Sequence, residues 1–320
     1  MPNFLRVTSR LIALLFVLFG SMNWGFYAHK SINYHAVFVL PPEMYPFYRK
    51  HIFYLKEHAV DADKRRYISE DEAPRHYLDA DVYEQVIPLD TIPRYWDSAV
   101  AKYGEDSLLK HGIGPWHLNR MVYRLTKAFE ERDFSRILRL SSDIGHYVGD
   151  LHVPLHTTKN YNGQLTHQHG IHGFWESRLP ELFASDYDFF VGPAEYVPQV
   201  NTWIWERFTE SFAAKDSVLW MEARLHKETT EKKKYSMETR GNRVVRVYSK
   251  SYSEDYHALL QNMVERRMAK SIHMTASLWM TAWVNAGQPV LDPAYTPQVD
   301  SLPSDSLINH LKIKGRMETH

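Results

Sequence analysis

Residues His146 to Glu176 read HYVGDLHVPLHTTKNYNGQLTHQHGIHGFWE. A helix turns about 100° per residue, so His146 and Asp150, four apart, stand one above the other on a single face and can grip one ion. Pro154 ends or kinks that helix, and His156 lies just past the break, where a change of direction carries it back toward the same cavity. A loop of Thr, Asn, Gln and Gly follows. His172 and Glu176 then form a second pair at helical spacing, ahead of an apolar run suited to a helix. Imidazoles and carboxylates together are the nitrogen and oxygen donors that zinc takes in hydrolytic sites. His152 faces about 240° round the helix from His146 and is set aside. His167 and His169 fall in the loop, and either remains an alternative to His172 as a ligand.

Toward the N-terminus, Met1 to Asn23 has the form of a secretory signal: Arg6 and Arg10 precede an apolar run, LIALLFVLFG, too short for a comfortable membrane span. The expected division is a signal peptide over 1–23, a helical domain over 24–290 and a loosely ordered tail, rich in Pro, Ser and Asp, over 291–320. The mature protein is then extracytoplasmic, periplasmic or secreted, with an uncleaved anchor as the alternative. Basic and acidic residues balance at 38 each, which offers no global attraction to nucleic acid or to an anionic membrane. Hydrophobic residues at 44% suffice for a sizeable core. The absence of cysteine excludes disulfides and thiolate zinc sites, leaving metals to clip distant segments together.

Cleavage before Trp24 would free an α-amino group that, with the Trp24 carbonyl and the side chain of His29, forms a chelating set. Pro41 and Pro42 close that first segment, and a second helical pattern through Tyr45, Ile52 and Leu55 runs toward Ala59. The next block, AVDADKRRYISEDEAPRHYLDAD from Ala59 to Asp81, is dense in charge and reads mostly as a solvated loop. His76 sits inside an apolar-aromatic turn of that block, with Asp61 and Asp63 at loop distance before it. These three are candidate ligands for the ion that His146 and Asp150 grip.

Helical patterns continue beyond. Pro93 suits a helix start, and Gly112 to Pro115 break the pattern. Met121, Val122, Leu125 and Phe129 then make one apolar stripe; Ile137, Leu138, Ile144, Tyr147, Val148 and Leu151 make another, on the helix that carries the metal pair. Residues 201–226 read as one or two helices with Asp216-Ser217 as a cap. The basic segment 227–250, with its interleaved aromatics, reads as a solvated loop or short hairpin, a nucleic-acid contact being the rival explanation. Ser251 to Glu254 has the form of a capping box opening one long helix to Ala286, before Gly287 and Pro289. Strand-like runs such as Val244 to Tyr248 are too sparse for a sheet-based fold. The expected class is all-α, a single multi-helix bundle.

Taken in order, Trp24–x4–His29, Ala62-Asp63–x2–Arg66, Arg75-His76-Tyr77, His146–x3–Asp150–x5–His156 and His172–x3–Glu176 resemble the superfamily of zinc-dependent phospholipases C and single-strand-specific zinc nucleases. The likeness covers residue 24 to about 180 and recurs more weakly to the final helix; HYVGDLHVPLH is its most specific part. It implies a metal cluster at the base of a cleft, holding three zinc ions. One would be bound by Asp63, His76, His146 and Asp150, a second by His156, His172 and Glu176, and a third by the Trp24 amine and carbonyl, His29 and a bridging Asp150. Asp63 is preferred to Asp61 because Ala62-Asp63 followed by Arg66 fits the family pattern.

The activity so implied is phosphodiester hydrolysis, with a zinc-activated hydroxide attacking phosphorus in line. Asp63 and Asp150 are the expected catalytic carboxylates, and Arg66 is expected to hold a phosphate oxygen through a two-pronged contact, a surface ion pair being its other reading. The short Trp–x4–His spacing resembles the nucleases, whereas Glu at 176 resembles the phospholipases. Single-stranded nucleic acid, a nucleotide or a phospholipid therefore all stay open as substrates. No obligate protein partner is expected. A non-catalytic secreted zinc-binding protein is the alternative from another class.

Overall fold

A computed structural model describes residues 26–241 and 243–296. The expected signal segment over 1–23, Trp24 and residues 297–320 of the expected tail lie outside the described residues. Six helices make the frame: α1 Phe26–Ala36, α2 Gly114–Glu130, α3 Phe134–His152, α4 Val200–Glu228, α5 Lys250–Leu259 and α6 Met263–Asn285. Short helical turns connect them, and among the described residues the strands are β1 Tyr235–Arg240 and β2 Arg243–Tyr248, paired antiparallel. The all-α class holds. No described helix is long and apolar enough to cross a membrane.

The centre of the bundle is α3. Asp133 caps it, its side chain accepting from the Arg136 amide at 3.0 Å. At the other end Val153 turns extended (φ −80°, ψ 115°), as a residue before proline prefers, and Pro154 starts a single tight turn containing His156. Every residue from Leu140 to His152 is buried, because α1, α2, α4 and α6 all pack on this helix. A helix covered on all sides can carry charged ligands only if those charges meet one another.

Two glycines set how closely α1 approaches. A Cβ at Gly145 would stand 1.6 Å from Asn33 Oδ1, and one at Gly149 would stand 2.7 Å from His29 Nδ1. Asn33 and His29 lie four apart on α1, so they fit one above the other into a groove that the two glycines leave on α3. Asn33 is fixed there by donating to the carbonyls of Leu55 (3.0 Å) and Ser142 (3.1 Å). On another side Tyr48 stacks on Trp279 and hydrogen-bonds Ser141 Oγ at 2.9 Å, while the Trp279 indole donates to the Ser141 carbonyl.

Several local expectations give way to packing. Asp216-Ser217 caps nothing, since α4 runs through it. The long final helix is two helices: Gln261 (φ 49°) and Asn262 (φ 58°) adopt the left-handed region and separate α5 from α6. The cap of α5 is Ser249, whose hydroxyl accepts from the Tyr252 amide, so the Ser251 to Glu254 box falls inside the helix. The charged block after Ala59 is short helical turns, with Asp61–Arg65 and Ala73–His76 both wound. Leu291 is buried and the Tyr295 ring lies against Phe134, so packed structure continues past residue 290 into the expected tail.

Candidate metal centre

The buried hydrophobic residues fall into two clusters, and the buried ligand-type side chains are drawn from several separate segments. His146 and Asp150 come from α3, His29 from α1, Asp63 and His76 from the turns after Ala59, His156 from the Pro154 turn, and His172 and Glu176 from the segment after the loop. All eight are buried. They form three groups in which one nitrogen or oxygen from each residue lies within 4.8 Å of the others: Asp63 with His76 and His146, His156 with His172 and Glu176, and His29 with His146 and Asp150.

The separations decide whether these are ion pairs or cages. Four donors about 2.05 Å from one ion at tetrahedral angles stand roughly 3.3 Å apart. In the first group His76 Nδ1 is 2.9 Å from Asp150 Oδ2 and 3.1 Å from His146 Nε2, His146 Nε2 is 3.3 Å from Asp150 Oδ2, and Asp63 Oδ1 is 3.7 Å from both imidazole nitrogens. In the second, His156 Nε2 is 3.0 Å from His172 Nε2 and 3.3 Å from Glu176 Oε2, with His172 and Glu176 at 2.6 Å. The first set brackets the cage value, and the second reaches it from below. Nitrogen facing nitrogen at 3.0 Å fits two imidazoles around a shared cation as well as a single N–H···N hydrogen bond.

The outer hydrogen bonds point the same way. His146 Nδ1 donates to the Ala59 carbonyl at 2.9 Å, and His156 Nδ1 donates to the His76 carbonyl at 2.7 Å. Each bond leaves the Nε2 lone pair directed into the cluster, the arrangement metal-bound histidines adopt. His29 Nε2 faces Glu176 Oε1 at 3.2 Å and Asp150 Oδ1 at 3.5 Å, and its ring stacks on that of His146 with centroids 4.1 Å apart. Glu176 thus spans two groups, a role the sequence reading gave only to Asp150.

Burial pushes the Asp150 carboxyl up, but the imidazoles of His146 and His156 facing it outweigh burial and hold it well below the usual carboxylate range. Glu176 follows the same balance, burial opposed by His156, His172 and His29. Burial depresses His146, yet Asp150 and Asp63 beside it raise it to about 9. The carboxylates therefore impose a field that favours positive charge in this pocket, which protonated imidazoles or a cation would answer.

His172 and Glu176 are placed by an irregular helix. Gly170, at φ 91°, starts a turn at Ile171 that widens into a π turn over Phe174–Arg178. Single π turns of this kind gather at functional sites because the extra residue re-aims a side chain. Behind it, Phe174 stacks on Tyr248 with centroids 3.8 Å apart, and Arg178 holds Glu238 and the Tyr248 carbonyl. The aromatics of the 227–250 segment therefore brace this turn from the hairpin. Lys234, buried beside Tyr235, Tyr248 and Tyr252, is paired with the buried Glu222 at 2.8 Å.

Asp61 is the site residue that stands apart: it is bound to His58 at 2.5 Å and Lys64 at 2.8 Å, and belongs to none of the three groups. Asp61 and Asp63 lie about 200° apart around a helical turn, so only one of them can face inward. Arg66 is buried with Nη1 3.6 Å from Asp63 Oδ1, at the edge of the first group and away from the protein surface. His152 donates from Nδ1 to the Val148 carbonyl of its own helix at 2.8 Å, and His167 and His169 are exposed on the loop. A buried network goes unforeseen by sequence reading: Glu72, Tyr147, Arg65 and Asp143. The spacing Glu72–x3–His76 is the one signal that points to it.

No protein-family model matches the chain, and comparison with curated proteins finds no match.

Proposed function

We propose that this chain is a zinc-dependent phosphodiester hydrolase. The observation that carries the reading is the two-sided use of Asp150: its Oδ2 faces His76 and His146, while its Oδ1 faces His29 at 3.5 Å and His156 Nδ1 at 3.9 Å. A carboxylate with one oxygen toward each of two ligand groups is what adjacent cations a few ångströms apart require. The donors are nitrogen and oxygen alone, a set that suits zinc. Asp63, His76, His146 and Asp150 would hold one ion, His156, His172 and Glu176 a second, and His29 with Asp150 would serve a third together with Trp24.

When bound, zinc supplies Lewis acidity and brings the pKa of water from 15.7 to about 7, making a nucleophile available at neutral pH. The protein's own part is to hold this arrangement rigid. The outer bonds from His146 and His156 fix the ring tautomers before substrate arrives, and the buried walls exclude bulk water. Asp63, which faces the first group through Oδ1, would also assist in taking a proton from water there. Arg66, next to Asp63, would present its guanidinium to a non-bridging phosphate oxygen.

The preferred substrate is a single-stranded nucleic acid or nucleotide, with phospholipid as the alternative, and the preferred location is extracytoplasmic. The test is to recover the protein from the exported fraction, sequence its N-terminus, count zinc, and assay single-stranded DNA, RNA and phosphatidylcholine. A start at Trp24, three zincs and cleavage of one of these supports the reading. Three zincs with hydrolysis of none overturns it in favour of a zinc-binding protein without catalysis.

A further inference from the structure

His76 is oriented differently from its neighbours. His146 and His156 turn Nε2 inward, whereas His76 turns Nδ1 inward, toward Asp150, His146 and Asp63. Its Nε2 is buried and makes no hydrogen bond; the acceptor it faces is Glu72 Oε1, 3.6 Å away. Glu72 is wholly buried (0% exposed). Its other contacts are all donors or cations: the Tyr147 hydroxyl donates to Oε1, and Arg75 (2.6 Å) and Arg65 (3.4 Å) reach Oε2. Arg65 in turn pairs with Asp143 at 3.0 Å. Glu72 is therefore held as a carboxylate, with Oε1 aimed at the back of the His76 ring.

We infer that Glu72 is the positioning carboxylate of the centre: it keeps the His76 proton on Nε2 and so presents Nδ1 to a cation in the first group. Carboxylate–imidazole–metal relays of this form raise the basicity of the ring and fix its orientation. His146 and His156 have neutral carbonyls behind them, whereas the group behind His76 carries charge. The same geometry gives His76 a second duty, because its backbone carbonyl accepts from His156 in the second group. Glu72 thus steadies, through one residue, a ligand of each group. This inference rests on the reading of the cluster as a metal centre, though not on any substrate.

The experiment compares Glu72→Gln with Arg75→Gln and wild type. Arg75→Gln removes a closer partner of Glu72 while leaving the His76 contact, so it reports what loosening the network does by itself. Zinc affinity is measured by chelator competition, with total zinc counted alongside. The expected result is that Glu72→Gln loses one zinc roughly 10–100-fold more readily than wild type, the range for outer partners of metal ligands, while Arg75→Gln does not. Nitrogen-15 NMR of the imidazoles in zinc-loaded wild type gives a reading that needs no variant: His76 must carry its proton on Nε2 and its metal on Nδ1. Unchanged affinity in Glu72→Gln, equal losses in both variants, or zinc on His76 Nε2 overturns the inference. A wild-type protein that binds no zinc fails the metal-centre reading itself, which is a different outcome.

Discussion

His156 donates through Nδ1 to the backbone carbonyl of His76, 2.7 Å away, so the second ligand group is oriented by the main chain of the first. Removing the His76 side chain leaves that carbonyl in place. His76→Ala is expected to lose the ion of the first group while the second keeps its own, and Asp150→Ala, which strips an oxygen from both sides, is expected to cost more zinc per chain. Elemental analysis after dialysis, on variants matched for folding by circular dichroism, distinguishes the two.

Gly149→Ala is expected to displace His29. The new Cβ would stand 2.7 Å from His29 Nδ1, and a ring pushed outward leaves Asp150 Oδ1 and Glu176 Oε1. Zinc per chain should fall with only modest loss of stability. Gly145→Ala meets Asn33, which two hydrogen bonds pin in place, so it is expected to cost about 1–3 kcal/mol as an overpacked core does. Denaturant titration reads the second effect.

Glu222 and Lys234 form a pair whose side chains are 1% and 7% exposed. Breaking such a pair costs about 3–5 kcal/mol, because the remaining charge stays buried, whereas replacing both members by neutral groups of similar size costs far less. Lys234→Met should therefore be much less stable than the double variant Glu222→Gln/Lys234→Met. The single variant should also expose the hairpin to protease, since Lys234 packs against the tyrosines that carry it.

Burial holds the His257 imidazole below its ordinary value, and the Tyr187 hydroxyl lies 2.7 Å from its Nε2. The folded state thus binds this proton less readily than the unfolded state. The stability concerned is present above the unfolded value of about 6.5 and is lost as pH falls below it. His257→Gln is expected to flatten the stability profile below about pH 6.5 by up to one proton's worth of slope. Metal-free protein is the right material, so that release of zinc in acid does not add to the slope.

What the sequence made legible follows from local geometry. Four-residue spacing placed His146 over Asp150 and His172 over Glu176, Pro154 ended the central helix, and the basic 227–250 segment, read as a loop or short hairpin, holds the hairpin. What it hid depends on neighbours remote in the chain. Asp216-Ser217 has a cap's chemistry but lies where packing keeps α4 continuous, and the break before α6 comes from Gln261 and Asn262 taking up a left-handed turn. Glu72 looks like one charge among many in a solvated block until the fold buries it behind His76. Trp24, expected from the resemblance to serve a third ion, lies outside the described residues.

With one oxygen of Asp150 turned to each side, a cation bound on one side would draw on the same carboxylate charge that the other side uses. Occupancies of neighbouring positions are then linked, and zinc titrated into stripped protein should fill them in a fixed succession, visible as separate calorimetric steps, in place of one smooth isotherm.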